Sequence, residues 1–253
     1  MAVLQATINQ FDGVVTDPTT LPATPDLFRR ALSQSLPTWI EEGHKVVWLE
    51  IPIALSSLIP VAVEAGFTFH HSGEAYLMLT LRLKQDAFIP PFATHYIGAG
   101  GVVINERQEL LVVWEKAHRR NGRRYYKLPG GALHKGEHLV DGVIREVREE
   151  TGILTQFEAL VCFRHWHGYR YDKSDIYFVC RLSPLNHEIT IQAEEIQESL
   201  WMPVQDYLDH QDVGIFNKRI VQAALSDRCL LVPTWIEGYQ TEPDRREIFM
   251  PGS

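Results

Sequence analysis

Between Gly131 and Ile153 the chain reads glycine, five residues, Glu137, seven residues, and then Arg145-Glu146-Val147-Arg148-Glu149-Glu150-Thr151-Gly152-Ile153. A helix over residues 138–151 sets Glu146, Glu149 and Glu150 at i, i+3 and i+4, so all three carboxylates lie along one face. Like charges held so close repel one another, and a divalent cation relieves that repulsion. Hard oxygen ligands that leave coordination positions open suit Mg²⁺, with Mn²⁺ as a substitute. Such an ion lowers the pKa of a bound water and neutralises charge on a transferring phosphorus. Pro129, Gly130 and Gly131 would form a tight loop before the helix, where a glycine carbonyl can approach the metal with no Cβ in the way. Arg145, four residues before Glu149, can orient its carboxylate. Gly152 would end the helix. A solvated acidic helix face is the alternative, but it explains neither the glycines nor the arginine.

The remaining composition narrows the partners. With 253 residues and 45% hydrophobic content, one large domain or two modest ones fit. The formal charge of -8 gives no global basic field toward nucleic acid or anionic lipid, so an anionic substrate needs local cations or metal. No leader pattern opens the chain, and no apolar run reaches the length of a membrane span, so a soluble, cytoplasmic protein is expected. Cys162, Cys180 and Cys229 are widely spaced and show no CxxC arrangement; buried reduced thiols are expected.

Along the chain, Val46 to Ile51 reads as a strand, Leu55 to Ala65 as an amphipathic helix closed by Gly66, and Tyr76 to Leu83 as a second strand. The polar and proline-rich Gln85 to Pro91 marks a linker. We therefore expect an α/β unit over 1–88, a second domain over 89–228 and a C-terminal arm, ordered or frayed, over 229–253. In the second domain, Val102 to Ile104 and Leu110 to Trp114 read as a hairpin, His118 to Arg124 turns through Asn121-Gly122, Phe157 to Phe163 and Ile176 to Leu182 are apolar strands, and Ile215 to Leu225 is a helix. Mixed strands with interleaved helices point to an α/β/α sandwich with a mixed sheet. Gly98, Gly100 and Gly101 lack the strand-then-helix context of a dinucleotide loop, and close strand packing accounts for them better.

The segment from Gly131 to Ile153 resembles the box of the Nudix hydrolase family without a departure. Its seven fixed identities, each at usage of about 7%, would coincide by chance about once in 10⁸ starting positions. Ala93 to Gly98, Phe163-Arg164-His165, Lys173-Ser174-Asp175 and Leu200 to Pro203 are similar to the branch of the growth-factor-antisense-encoded Nudix protein and the ADP-ribose/NADH pyrophosphohydrolases of plants. Phe11-Asp12-Gly13, Val47-Trp48-Leu49 and His70-His71 extend the resemblance into the first half.

That resemblance implies a Nudix sandwich preceded by a smaller, acetyltransferase-like α/β unit. It implies catalysis by Glu146, Glu149 and Arg145, and a metal held by Glu146, Glu149, Glu150 and Gly131, with Glu137 in an orienting part. Glu195, from the acidic stretch 194–198, is the candidate for a further metal carboxylate; a surface glutamate is the alternative. Whether Glu146 or a loop glutamate is the base differs between branches. Arg119, Arg120 and Arg124, with Arg123, flank the Asn-Gly turn and could meet a diphosphate or adenine, unless they form a solvated hairpin tip. His118, His165 and His167 lack zinc spacing.

The leading expectation is Mg²⁺-dependent hydrolysis of a nucleoside diphosphate linked to another moiety, ADP-ribose or NADH first. A ligand-sensing or protein-binding module without turnover competes with it, though the intact glutamate set argues against a pure binder. Acyl transfer by the first unit is weakened by the lack of a pyrophosphate loop in residues 1–90. A structural or homodimer-forming role suits that unit better.

Overall fold

The computed structural model describes residues 3–116, 125–226, 230–233 and 249–251. The chain divides into two compact units, Met1–Thr94 and His95–Ser253. None of the helices among the described residues is long and apolar enough to cross a membrane.

The first unit runs β1 (Ala6–Ile8), β2 (Gly13–Thr16), α1 (Pro25–Glu41), β3 (Val46–Pro52), a 3-10 segment (Ile53–Leu58), α2 (Ile59–Glu64), β4 (Thr68–Ser72) and β5 (Tyr76–Arg82). Its strands form a mixed sheet in the order β1-β2-β3-β5-β4, with β2 and β3 parallel. β3 alternates buried and half-buried positions, as its β-branched residues suggest. The expected helix over 55–65 is instead a 3-10 turn followed by α2, because Pro60 lacks the N–H that would continue a helix and suits a first turn. Gly66 closes α2 at φ +95°. The 17-residue α1 goes beyond the elements read from sequence. It buries Phe28, Ala31, Leu32, Ser35 and Trp39 at helical spacing and carries Pro37 on its exposed side.

The second unit runs β6 (His95–Val103), β7 (Glu109–Glu115), β8 (Gly130–Ala132), α3 (Leu139–Thr151), β9 (Thr155–Trp166), β10 (Ser174–Pro184), β11 (Ile196–Pro203), α4 (Val204–Asp209), α5 (Ile215–Ala224), β12 (Leu231–Pro233) and β13 (Phe249–Pro251). Its described residues form a mixed sheet in the order β13-β12-β9-β10-β6-β8, with β6 and β10 parallel, and a separate pair, β7 and β11. The expected hairpin between β6 and β7 is only a turn. One bridge, Ile104 to Leu110, joins them before β7 departs to pair with β11.

Successive residues on these strands enter opposite cores. Val102, Leu110 and Val179 pack with Tyr207, Ile220 and Val221 on one side. Val103, Leu111 and Cys180 pack with Val143, Val147 and Ile153 on the other. Helix α3 lies against β6, β8 and β9, and α5 against β9 and β10, so helices cover both faces of the sheet. Gly101 sits where a Cβ would come within 2.8 Å of Val147, which lets α3 approach β6 closely.

Candidate active site

The glycine loop and the box helix meet through two glycines with different tasks. Gly130 has φ +149°, and a Cβ there would lie 2.3 Å from the Ala99 carbonyl oxygen and 2.5 Å from Gly100 Cα. Only glycine fits such a backbone. Its N–H donates to Glu150 Oε2 at 2.9 Å. Gly131 is needed for space alone: a Cβ there would lie 2.5 Å from Glu146 Oε2, so the Glu146 carboxylate rests directly on its α-carbon.

Helix α3 is oriented by Leu139, Val143 and Val147, whose four-residue spacing turns one stripe into the core. Gly152, left-handed at φ +72°, caps it by donating its N–H to the Arg148 carbonyl at 2.8 Å. The three box glutamates then differ in environment. Glu150 is buried at 4% exposure, Glu146 is largely covered, and the Glu149 side chain is 51% exposed.

Arg145 ties these carboxylates together. Its Nε and Nη2 donate to the two oxygens of Glu137 at 2.7 and 2.8 Å, and its Nη1 donates to Glu146 at 2.8 Å and Glu149 at 2.9 Å. Nη2 also reaches the Ala132 carbonyl at 3.2 Å. Such a planar fork suits an arginine and no other cation. The guanidinium, joined by the His134 N–H, holds the Glu137 carboxyl at about 2 against the opposing effect of burial.

A second chain enters from the strands. Lys127, bridged to Val113, ion-pairs with Glu115 and lies 3.5 Å from Glu150 Oε1 and 3.3 Å from the Gly130 carbonyl. Burial pushes Glu150 up to about 7, and the charges of Glu115 and Glu146 add to the rise while Lys127 and the Gly130 N–H oppose it. Burial works against a charged Lys127, yet Glu150 and Glu115 outweigh it and hold the ammonium above its ordinary value.

Lys127 and Glu115 were absent from the sequence expectations. The lysine's place two residues before Pro129, between Tyr126 and Leu128, was the only local signal.

Among the described residues, five carboxylates, Glu115, Glu137, Glu146, Glu149 and Glu150, thus face two cations, Arg145 and Lys127. This excess of acidic oxygen, with the Gly131 cradle, fits a hard divalent cation. The side chains do not converge as a ready-made ligand set among the described residues, because Glu146 and Glu149 are turned onto Arg145 and Glu150 onto Lys127 and Gly130. Binding a metal therefore means drawing these oxygens away from their present partners.

Glu195 is exposed just before β11, where its carbonyl accepts the Lys116 N–H at 2.9 Å. Its carboxylate makes no hydrogen bond or ion pair with the box among the described residues. Arg119, Arg120, Arg123 and Arg124, with the Asn121-Gly122 turn, lie outside the described residues. Gly98, Gly100 and Gly101 all lie within β6, where Cβ atoms would strike Gly131, Tyr177 and Val147.

Comparison with known proteins agrees with this geometry. The profile described as NUDIX domain matches residues 94–224, and the one described as Nudix hydrolase domain matches residues 4–83. Nudix hydrolase 2 of Arabidopsis thaliana is 42% identical over 208 residues, covering 82% of this chain and 74% of that protein. Nudix hydrolase 8 of the same plant is 37% identical over 240 residues, covering 92% of this chain and 65% of that protein. The human nucleoside diphosphate-linked moiety X motif 6 is 32% identical over 230 residues, covering 88% and 72%. The chain thus spans about two thirds to three quarters of the length of these relatives. An unbroken box, an arginine that ties three of its carboxylates, and matches over both units lead to one statement: the chain belongs to the Nudix hydrolase family.

Proposed function

We propose that the protein is a Mg²⁺-dependent pyrophosphohydrolase that cleaves a nucleoside diphosphate linked to another moiety, with ADP-ribose or NADH first among its substrates. The reading is carried by one observation: Arg145 holds Glu137, Glu146 and Glu149 together while Glu146 lies on Gly131. In this reading Glu146, Glu149, Glu150 and the Gly131 carbonyl hold Mg²⁺ or Mn²⁺. Bound there, the metal supplies charge neutralisation on phosphorus and an acidified water.

The chain's own groups do the positioning. Arg145 keeps two ligand carboxylates in register, Glu137 holds Arg145, and Lys127 holds Glu150 against the glycine loop. Glu146, or a loop glutamate such as Glu195, takes the proton of the attacking water. Arg119, Arg120 and Arg124 meet the substrate's diphosphate. The broad substrate class is in keeping with the name of the human relative, nucleoside diphosphate-linked moiety X motif 6. The first unit serves structure or homodimer formation.

The test is to incubate the purified chain with ADP-ribose, NADH, CoA, FAD and diadenosine polyphosphates in Mg²⁺ or Mn²⁺, and to identify products. Release of a mononucleotide from ADP-ribose or NADH is expected. Binding without turnover across the panel would overturn the enzymatic reading in favour of a sensing module.

A further inference from the structure

A row of residues runs across the sheet from the glycine loop. In the register of the four strands, Ala132 on β8 lies opposite Gly98 on β6, Gly98 opposite Tyr177 on β10, and Tyr177 opposite Arg164 on β9. Residues directly opposite share a face, so Tyr177 and Arg164 stand on the same side. Gly98 and Gly100 leave room for the tyrosine: a Cβ on Gly100 would lie 2.2 Å from its hydroxyl, and one on Gly130 would lie 2.8 Å from it. Tyr177 therefore connects the loop that receives Glu150 to Arg164.

Arg164 sits among aromatic rings. Its guanidinium carbon is 5.3 Å from the Trp166 ring centre, 5.5 Å from Tyr177 and 6.0 Å from Phe216 of α5. Nη2 donates to the buried Asp175 at 2.6 Å, which fixes the guanidinium in place. Trp166, two residues along the same strand, is 47% exposed, and Phe216 is 42% exposed. Tyr169 packs on Trp166 with ring centres 5.1 Å apart. A cation pinned by a buried carboxylate, with large aromatic rings left open beside it, is a surface on which a flat heteroaromatic ring stacks. It lies three strand spacings from β8, about 14 Å at about 4.8 Å per strand, a distance that an extended nucleoside diphosphate conjugate spans.

We infer that Trp166, Phe216 and Arg164 form the subsite for the nucleobase of the substrate, with the diphosphate at the box glutamates and Tyr177 as the floor between them. The inference rests on the proposed hydrolysis for where the diphosphate lies, but its test does not require turnover. Arg164 is unsuitable for substitution, since its loss would strand the buried Asp175 charge. Trp166→Ala and Phe216→Ala each remove an exposed ring and leave the fold intact, which thermal unfolding checks.

The probes are AMP, GMP and UMP, compared with ribose 5-phosphate, which carries the phosphate and sugar without a base. They are titrated calorimetrically into the full chain in Mg²⁺. At least one mononucleotide should bind more tightly than ribose 5-phosphate in the wild type. Each substitution should weaken that binding by about tenfold or more, as expected for loss of base stacking, while ribose 5-phosphate binding stays the same. The inference is overturned if no mononucleotide is preferred, or if the preference survives both substitutions. A protein that shows the preference and its loss but hydrolyses nothing in the panel keeps the subsite and loses the enzymatic reading.

Discussion

Replacing Glu137 by glutamine removes the charge that Arg145 leans on while keeping the side chain's shape. In the native protein the carboxylate accepts two bonds from Arg145 and one from the His134 N–H, and its pKa falls from 4.5 to about 2. That difference corresponds to about 3 kcal/mol of stability at neutrality, since each tenfold change in proton affinity is worth about 1.4 kcal/mol. The folded pKa is depressed, so the contribution is complete above 4.5 and is lost as pH falls through about 2. Linkage leaves most of it at pH 4 and less than half at pH 3.

The amide still accepts a hydrogen bond. The expected loss in Glu137→Gln is therefore about 2–3 kcal/mol at pH 7, narrowing steadily toward pH 3. Urea unfolding of both proteins at pH 7, 5, 4 and 3, in chelator so that metal binding does not contribute, measures the gap. A gap that is absent at pH 7, or equally large at pH 3, would refute the account of Arg145 as the hub of the site.

Three further substitutions separate the roles of neighbouring groups. Gly130→Ala should cost several kcal/mol of stability or prevent folding, because its Cβ would strike backbone atoms at a φ of +149°. Gly131→Ala meets the Glu146 carboxylate first, the end of a flexible side chain rather than backbone, and should keep a near-normal urea midpoint while Mg²⁺-supported turnover drops at least tenfold; unchanged turnover would contradict the cradle. Lys127→Met leaves Glu115 and Glu150 facing each other without their cation, a loss of about 3–5 kcal/mol in chelator. Mg²⁺ should restore part of it, so melting curves that shift equally with and without Mg²⁺ would count against a metal at Glu150.

The box helix is legible because its three candidate carboxylates, Glu146, Glu149 and Glu150, lie close together in sequence and one period places them on a face. Spacing names the three glutamates as candidates and Arg145, four residues before Glu149, as their orienting partner, whereas Gly131 follows from the resemblance of the whole segment to the family's box. Lys127 and Glu115 follow from neither. They come from different segments and meet only through the bridge of Val113 to Lys127, a register that no local pattern declares. The turn at residues 105–108 read as a hairpin for the same reason: alternation shows that β6 and β7 are strands, but their partners, β10 and β11, lie far along the chain. In the first unit, β3 is legible from its β-branched and aromatic run and β5 from its partial alternation. α1 is hidden in the sequence by Pro37, a residue that ordinarily breaks a helix interior, and by Ser35, a polar residue on its buried face.

The central claim is that the box glutamates work through a divalent metal. Its most direct test is the initial rate of mononucleotide release, against Mg²⁺ concentration, for the wild type and for Glu149→Gln. Glu149 is exposed, so the isosteric change should leave the unfolding transition where it is. The account predicts a saturable Mg²⁺ requirement, no rate in excess chelator, and a rate for the variant at least about 100-fold lower at every Mg²⁺ concentration, as removal of a metal ligand or base requires. Full activity in chelator, or a variant that keeps more than about a tenth of the wild-type rate, would contradict it.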